Sequence, residues 1–335
     1  MKIFSTIIFF LAAIFHVNSQ GTWVQMANYP TAVSGAAGFS IGTKGYIGTG
    51  FTSQGNISTF WEYDKTTNVW TQKANYGGGE ISLSVGFSIG NKGYIGTGGD
   101  TITVNSKQFW EYNPASNLWT KKAGLAGIGR NSAMGFSIGN KGYICGGVNQ
   151  SNQIIALNDL WEYDPITNSW SQKANLPGLK RQYGIGFSIA NKGYIGLGAD
   201  SLATKCYQDF WEWDQTTNTW SQKANFPGGK RFGGYGYSIG NYGYVGMGED
   251  STWKSYINDL WQYFPFTNTW KQVISFPGGA RQLPVGFSIG CSGFFGTGAD
   301  TSYNNTNDWW EYIPDTITAS ISGANTICFG DSVSL

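Results

Sequence analysis

Histidine is almost missing from this chain. The single copy is His16, so nothing after residue 16 carries an imidazole. That excludes Ser-His-Asp and Cys-His nucleophilic catalysis and removes the imidazole ligands of most zinc and copper sites. Charge is scarce too. Lys plus Arg number 21 against 20 Asp plus Glu, a net charge of +1, and charged residues are 12% of the whole, about half the usual ~25%. With no basic stripe to neutralise phosphates, nucleic acid is excluded as a partner. No stretch is apolar enough for long enough to span a bilayer. The run Ile3 to Phe15 is short, follows Lys2 and ends near the small residue Ser19. Residues 1–19 therefore read as an export signal with Gln20 as the mature N-terminus, giving a secreted, extracellular or cell-surface protein without membrane insertion.

Glycine and aromatic residues are abundant, with 49 Gly and 15 Trp, and both excesses are periodic. One Trp series runs Trp23, Trp70, Trp119, Trp170, Trp220, Trp270, at intervals of 47, 49, 51, 50 and 50 residues. Between them a Gly-Phe/Tyr-Ser-Ile segment starts at Gly38, Gly86, Gly135, Gly186, Gly236 and Gly286. A third mark, of the type FWEY, starts at Phe60, Phe109, Leu160, Phe210, Leu260 and Trp309. The chain opens with only the last piece of a unit, at Trp23, and the sixth unit lacks that piece. A circular arrangement sealed by its own N-terminal strand requires this permutation. A period near 50 residues points to propeller blades. The expected fold is all-β: a six-bladed β-propeller of four-stranded antiparallel blades over residues 20–315, closed by the N-terminal strand.

Each unit reads as four strands: GFSI, then GYIGTG, then FWEY, then the segment beginning at the Trp. Tight Gly-Asn-Lys-Gly turns join the first two, because Gly and Asn accept positive φ. Glu62 and Lys73 are expected to meet across strands 3 and 4, as are Glu111 and Lys122, Glu162 and Lys173, Glu212 and Lys223. Both members are lost together in blade 5, to Gln262 and Val273, which marks a structural contact worth about 0.2–1 kcal/mol. Blade 6 departs from the rule, since Glu311 would face Met26. Within the ring, Cys145, Cys206 and Cys291 fall too far apart to bridge, so all three are expected free. Cys328 lies outside it.

The Gly-Tyr-Ile-Gly-x-Gly strands, the Asn158 to Asp164 segment (Asn-Asp-Leu-Trp-Glu-Tyr-Asp) and the Thr-Asn-x-Trp turns resemble the kelch repeat family, particularly its galactose-oxidase-like branch, over Gly21 to about Pro314. The resemblance implies a six-bladed propeller whose function resides in its loops. It does not carry the oxidase activity, which needs copper-ligating His. No metal, cofactor or catalytic residue is expected. The tail 316–335 lacks the repeat marks and looks like the start of a truncated Ig-like β module of secreted Bacteroidetes proteins, which makes the chain an expected fragment of a longer one.

Five of the six GFSI-type segments, beginning at Gly38, match the G-x-S-x-G nucleophile elbow. That motif needs a strand-turn-helix context and a His partner, so these read as strands. The best ligand candidates are Arg130, Arg181, Arg231 and Arg281, each five positions before its GFSI Gly and replaced by Val33 and Ile81 in blades 1 and 2. They are expected on the loops between strand 4 and the next strand 1, forming an arc on one rim. Arg grips carboxylate or phosphate through a fork of donors, and in kelch proteins this rim often forms the ligand pocket. The competing reading pairs them with Asp100, Asp200, Asp250 and Asp300, which emerge on the same rim. Asp159, Asp209, Asp259 and Asp308 read as turn anchors at the start of strand 3. The long loops of blades 4 to 6 add Tyr207, Trp253, Tyr256 and Tyr303 as rim candidates for a sugar ring or peptide. Glu249, Asp250, Asn304 and Asn305 fit no calcium-loop spacing. The sequence thus supports a secreted, non-catalytic module, a monomeric propeller in a longer chain, that recognises a protein, peptide or glycan. The alternatives are a mutarotase-like enzyme acting on an acidic sugar, with Glu249 or Asp250 as acid or base, and a structural module of a cell-surface adhesin.

Overall fold

The computed structural model describes residues 21–100, 104–252 and 255–315. The expected export signal (residues 1–19), the tail, Trp253 and Cys328 lie outside this set. Six four-stranded antiparallel sheets succeed one another along the chain. Blade 1 consists of Ala37–Ile41, Lys44–Gly48, Phe60–Asp64 and Val69–Gln72. Blades 2 to 5 repeat the pattern. Blade 6 takes Val285–Ile289, Ser292–Gly296 and Trp309–Ile313 from the C-terminal side and Thr22–Met26 from the N-terminus. Trp23 stands opposite Tyr312 and Gln25 opposite Trp310. The innermost strands neighbour one another around a full circle, with Val285–Ile289 next to Ala37–Ile41. The ring is closed as the permuted repeat requires.

The strands alternate, but neither face is left to water, because each blade lies between two others. Strand 1 places its aromatic ring on the strand 2 glycine of the next blade. Phe39 covers Gly93, where an added Cβ would come within 2.1 Å of the ring, and Phe287 covers Gly45 in the same way across the closure. At the hub, a Cβ on Gly38 would lie 2.4 Å from Val285. Glycine recurs at these sites because backbones and rings approach too closely for any side chain. On the outside, a belt of hydrogen bonds joins the blades. Trp70 Nε1 donates to the Ala27 carbonyl at 2.9 Å and Asn68 Oδ1 accepts from the Ala27 N–H at 2.8 Å. The same pair of bonds recurs from Trp119 and Asn117 to Ala74, and onward through Trp270 and Asn268 to Ala224. Trp23 closes the belt on the Ile274 carbonyl.

The expected cross-strand ion pairs are present: Lys73–Glu62 at 3.3 Å, Lys122–Glu111 at 3.2 Å, Lys173–Glu162 at 3.0 Å and Lys223–Glu212 at 3.2 Å. Glu311 of blade 6, which has no lysine on strand 4, takes Lys65 of blade 1 at 2.7 Å instead. One expectation about the cysteines is corrected. Cys145 and Cys206 are free and buried, but Cys291 is disulfide-bonded, to a partner outside the described residues. Distances between blades excluded pairings within the ring. They did not bear on a segment leaving it.

Candidate functional site

All the long connections emerge on one rim, and a backbone circle forms its mouth. Gly35, Leu83, Ser132, Tyr183, Gly233 and Leu283 occupy equivalent positions, each with φ between 52° and 64°. Each N–H donates to the carbonyl of its counterpart in the preceding blade: Leu83 to Gly35, Ser132 to Leu83, Tyr183 to Ser132, Gly233 to Tyr183, Leu283 to Gly233 and Gly35 to Leu283, at 2.7–3.0 Å. Four of the six are not glycine, so the left-handed backbone costs about 1–2 kcal/mol at each, offset by a hydrogen bond that no extended conformation makes there. Leu83, Tyr183, Leu283, Pro284 and Tyr235 line an apolar cup of about 100 Å³ over this circle. Tyr235 also reaches the narrower axial cavity below, of about 90 Å³.

Two residues before the circle stand the four arginines, and they face inward. Arg130, Arg181 and Arg231 are 0% exposed and Arg281 is 2% exposed. Each guanidinium forks onto the aspartate that opens strand 3 of its own blade. Arg181 Nη1 and Nη2 donate to Asp209 Oδ1 and Oδ2 at 2.9 and 2.6 Å. Arg130 does the same to Asp159 at 2.6 and 2.7 Å, Arg231 to Asp259 at 2.5 and 3.0 Å, and Arg281 to Asp308 at 2.6 and 3.0 Å. In each of these four blades the carbonyl of the residue just after strand 2 (Gly146, Leu197, Met247 or Thr297) takes a further Nη1 bond. The same carboxylates accept the indole N–H of Trp161, Trp211, Trp261 and Trp310. Burial pushes the Asp159 and Asp209 carboxyls up, but the hydrogen bonds and charge of Arg130 and Arg181 outweigh it and hold both below the ordinary carboxylate range.

The arc of arginines is therefore a set of internal braces, each fork engaged by the aspartate of its own blade. Their partners also differ from those expected. Asp250 and Asp300 stand opposite Arg231 and Arg281 in backbone register, yet their carboxylates fold their own loops. Asp300 Oδ1 accepts from the Ser302 and Asn304 N–H groups and Asp200 Oδ1 from the Thr204 N–H. Asp159, Asp209, Asp259 and Asp308 are brace members rather than turn anchors. In blades 1 and 2 both ends are replaced together, Val33 with Thr59 and Ile81 with Gln108, and a tyrosine (Tyr29, Tyr76) fills the place of Leu125, Leu176, Phe226 or Phe276. Trp110 then donates to Gln108 Oε1 at 3.1 Å. That joint replacement was visible in the sequence.

The aromatic candidates separate. Tyr207 is half-buried, with the Arg181 guanidinium 5.1 Å from its ring centre. Tyr256 is half-buried, accepts from Gln282 Nε2 at 2.6 Å and meets Tyr303 edge to face at 5.9 Å. Tyr303 is 70% exposed. Glu249 is enclosed beneath these loops, and burial, followed by the charge of Asp250, pushes its carboxyl above the ordinary range. Among the described residues, no three His, Cys, Asp or Glu side chains gather as a cation site. Sequence reasoning missed the exposed apolar residues of the rim. Phe51, Ile154, Ile155, Leu179 and Leu202 are all exposed there, Leu179 at 63% and Leu202 at 64%. Their signal was available: apolar side chains at loop positions that do not repeat.

Residues 136–177, from strand 1 of blade 3 to the loop after its strand 4, match the Kelch motif. No curated protein matches the chain. Among solved structures, one titled "Structure of YjhT" is similar, with a TM-score of 0.74 at 18% identity, over 85% of this chain and 95% of that one. At that identity the likeness shows the fold alone. No helix among the described residues is long and apolar enough to cross a membrane.

Proposed function

We propose that this six-bladed β-propeller, one blade of which matches the Kelch motif and whose scaffold commonly serves as a protein-interaction module, is an exported recognition module that binds a protein or peptide through its loop-bearing rim. The observation that carries this reading is the apolar crown. Phe51, Ile154, Ile155, Leu179, Leu202 and Tyr303, from five loops of blades 1, 3, 4 and 6, stand exposed around one mouth. Apolar side chains exposed together on one rim mark an interaction surface. Most are aliphatic, which favours peptide side chains over a sugar ring, whose stacking partners are aromatic. Export is supported by the leader-like residues 1–19 and by the disulfide at Cys291, a bond that persists in oxidising compartments. With the arginines committed internally, the acidic-sugar reading loses the group that would grip its carboxylate.

A displayed random-peptide library and a glycan array test the assignment. Peptide binders are expected, and Leu179→Asp with Leu202→Asp should weaken them by about tenfold or more, the effect of losing a hot spot, with the melting temperature unchanged. Glycan binding without peptide binding refutes the peptide reading. Silence on both probes favours a purely structural module.

A further inference from the structure

Cys291 is disulfide-bonded, while Cys145 and Cys206 are free thiols. The chain has four cysteines, so the one remaining is Cys328. We propose that the rim opposite the loops is the docking face for the chain's own continuation beyond Asp315, clamped there by a Cys291–Cys328 disulfide. Three observations support it. Cys291 sits in the turn between strands 1 and 2 of blade 6, where the other blades carry Thr43, Asn91, Asn140, Asn191 and Asn241, so the fold itself does not call for a cysteine. Strand 3 of blade 6 ends at Ile313, and in a four-stranded meander the end of strand 3 shares an edge with the strand 1–2 turn. The chain therefore leaves the ring on the rim that bears Cys291, with Asp315 still accepting from the Gly21 N–H at 3.0 Å. From Asp315 to Cys328 is 13 residues, a reach of about 40 Å at ~3.3 Å per residue, ample to return to the turn.

The consequence is a division between rims. One is tied to whatever follows in the chain, and the other, with its apolar crown, faces away from it. The bond forms by exchange with a disulfide donor. The Cys291 thiolate displaces one thiolate from oxidised glutathione or an equivalent disulfide, and Cys328 displaces the second from the mixed disulfide. Two protein thiols are oxidised, and their protons end on the two donor thiols released.

The test uses the chain from Gln20 to Leu335 equilibrated in a mixture of oxidised and reduced glutathione, so its outcome does not depend on export. After alkylation in denaturant and digestion without reductant, mass spectrometry should find the Cys291 and Cys328 peptides joined and Cys145 and Cys206 alkylated. Alkylated Cys291 and Cys328, or Cys291 joined to another cysteine or to a second chain, overturns the proposal. Cys291→Asn installs the residue that four other blades use at this turn. It should leave the melting of the ring intact and speed proteolytic trimming after Asp315 by about tenfold, since trimming tracks the opened population. Equal trimming rates in the two proteins refute the docking.

Discussion

Asp209→Ala should be among the most damaging single changes in the ring. It leaves the Arg181 guanidinium, which is 0% exposed, without either carboxylate bond, and it strips Trp211 Nε1 of its acceptor. Only the carbonyls of Leu197 and Leu179 remain to Arg181. Removing one partner of a buried ion pair costs about 3–5 kcal/mol, mostly for stranding the other charge. At about 2.1 cal/mol/K of unfolding entropy per residue, a ring of this size loses roughly 1.5–2 °C per kcal/mol, so the melting temperature should fall by about 5–10 °C. The chain also carries its own control. Blade 2 fills the same space with Tyr76, Ile81 and Gln108. The triple change Leu176→Tyr, Arg181→Ile and Asp209→Gln writes that solution into blade 4, and because no charge is stranded it should cost less than about 2 kcal/mol, well below the single change. Near-UV circular dichroism and tryptophan fluorescence during heating measure both. A single variant within about 1 kcal/mol of wild type would mean that the pair is solvated like a surface bridge. The brace would then be no brace, and the arginine arc would again be open to a ligand.

Three further outcomes follow from the same geometry. Asp159 and Asp209 titrate below their unfolded values, so their pairs stabilise the ring fully above the unfolded carboxylate pKa of about 4 and lose that contribution as pH falls through the depressed folded pKa; acid unfolding monitored by fluorescence should shift to higher pH when Asp159 is replaced, and an unchanged midpoint contradicts the pairing. Burial pushes the Cys145 thiol up to about 12 and the Cys206 thiol to about 11, so neither should react with maleimide in the native protein at pH 8, where only the thiolate attacks; rapid labelling would show the loops open. Gly93→Val drives a side chain into the Phe39 ring, 2.1 Å from the first added atom, and should destabilise by about 1–3 kcal/mol or more, whereas the same change at Gly42, which has open space, acts only through its positive φ; equal costs at the two sites would refute the ring-on-glycine packing.

The contacts legible in advance were those written twice. Glu62 with Lys73 could be read because Gln262 and Val273 depart together. The same test applied to Arg130 and Asp159 against Val33 and Thr59 would have named the brace. The arginines were instead matched to Asp100, Asp200, Asp250 and Asp300 by their shared rim. Proximity along a rim is a weaker guide than joint replacement, because short aspartates in turns spend their oxygens on their own loop's N–H groups. Cys291 misled for a related reason. Its position in the ring was read correctly, but a disulfide joins two places, and only one of them lies in the repeat.

Periodicity by itself determined the blade count, the closure by the strand holding Trp23 and the strand identities, because a repeated apolar pattern at fixed spacing has one way to bury itself against copies of itself. Which way each loop side chain turns was not in the pattern. Whether Arg181 greets a ligand or crosses to Asp209 depends on whether the folded loop closes over the guanidinium, and a charge taken out of water must find its carboxylate inside. Only the tertiary structure decides that.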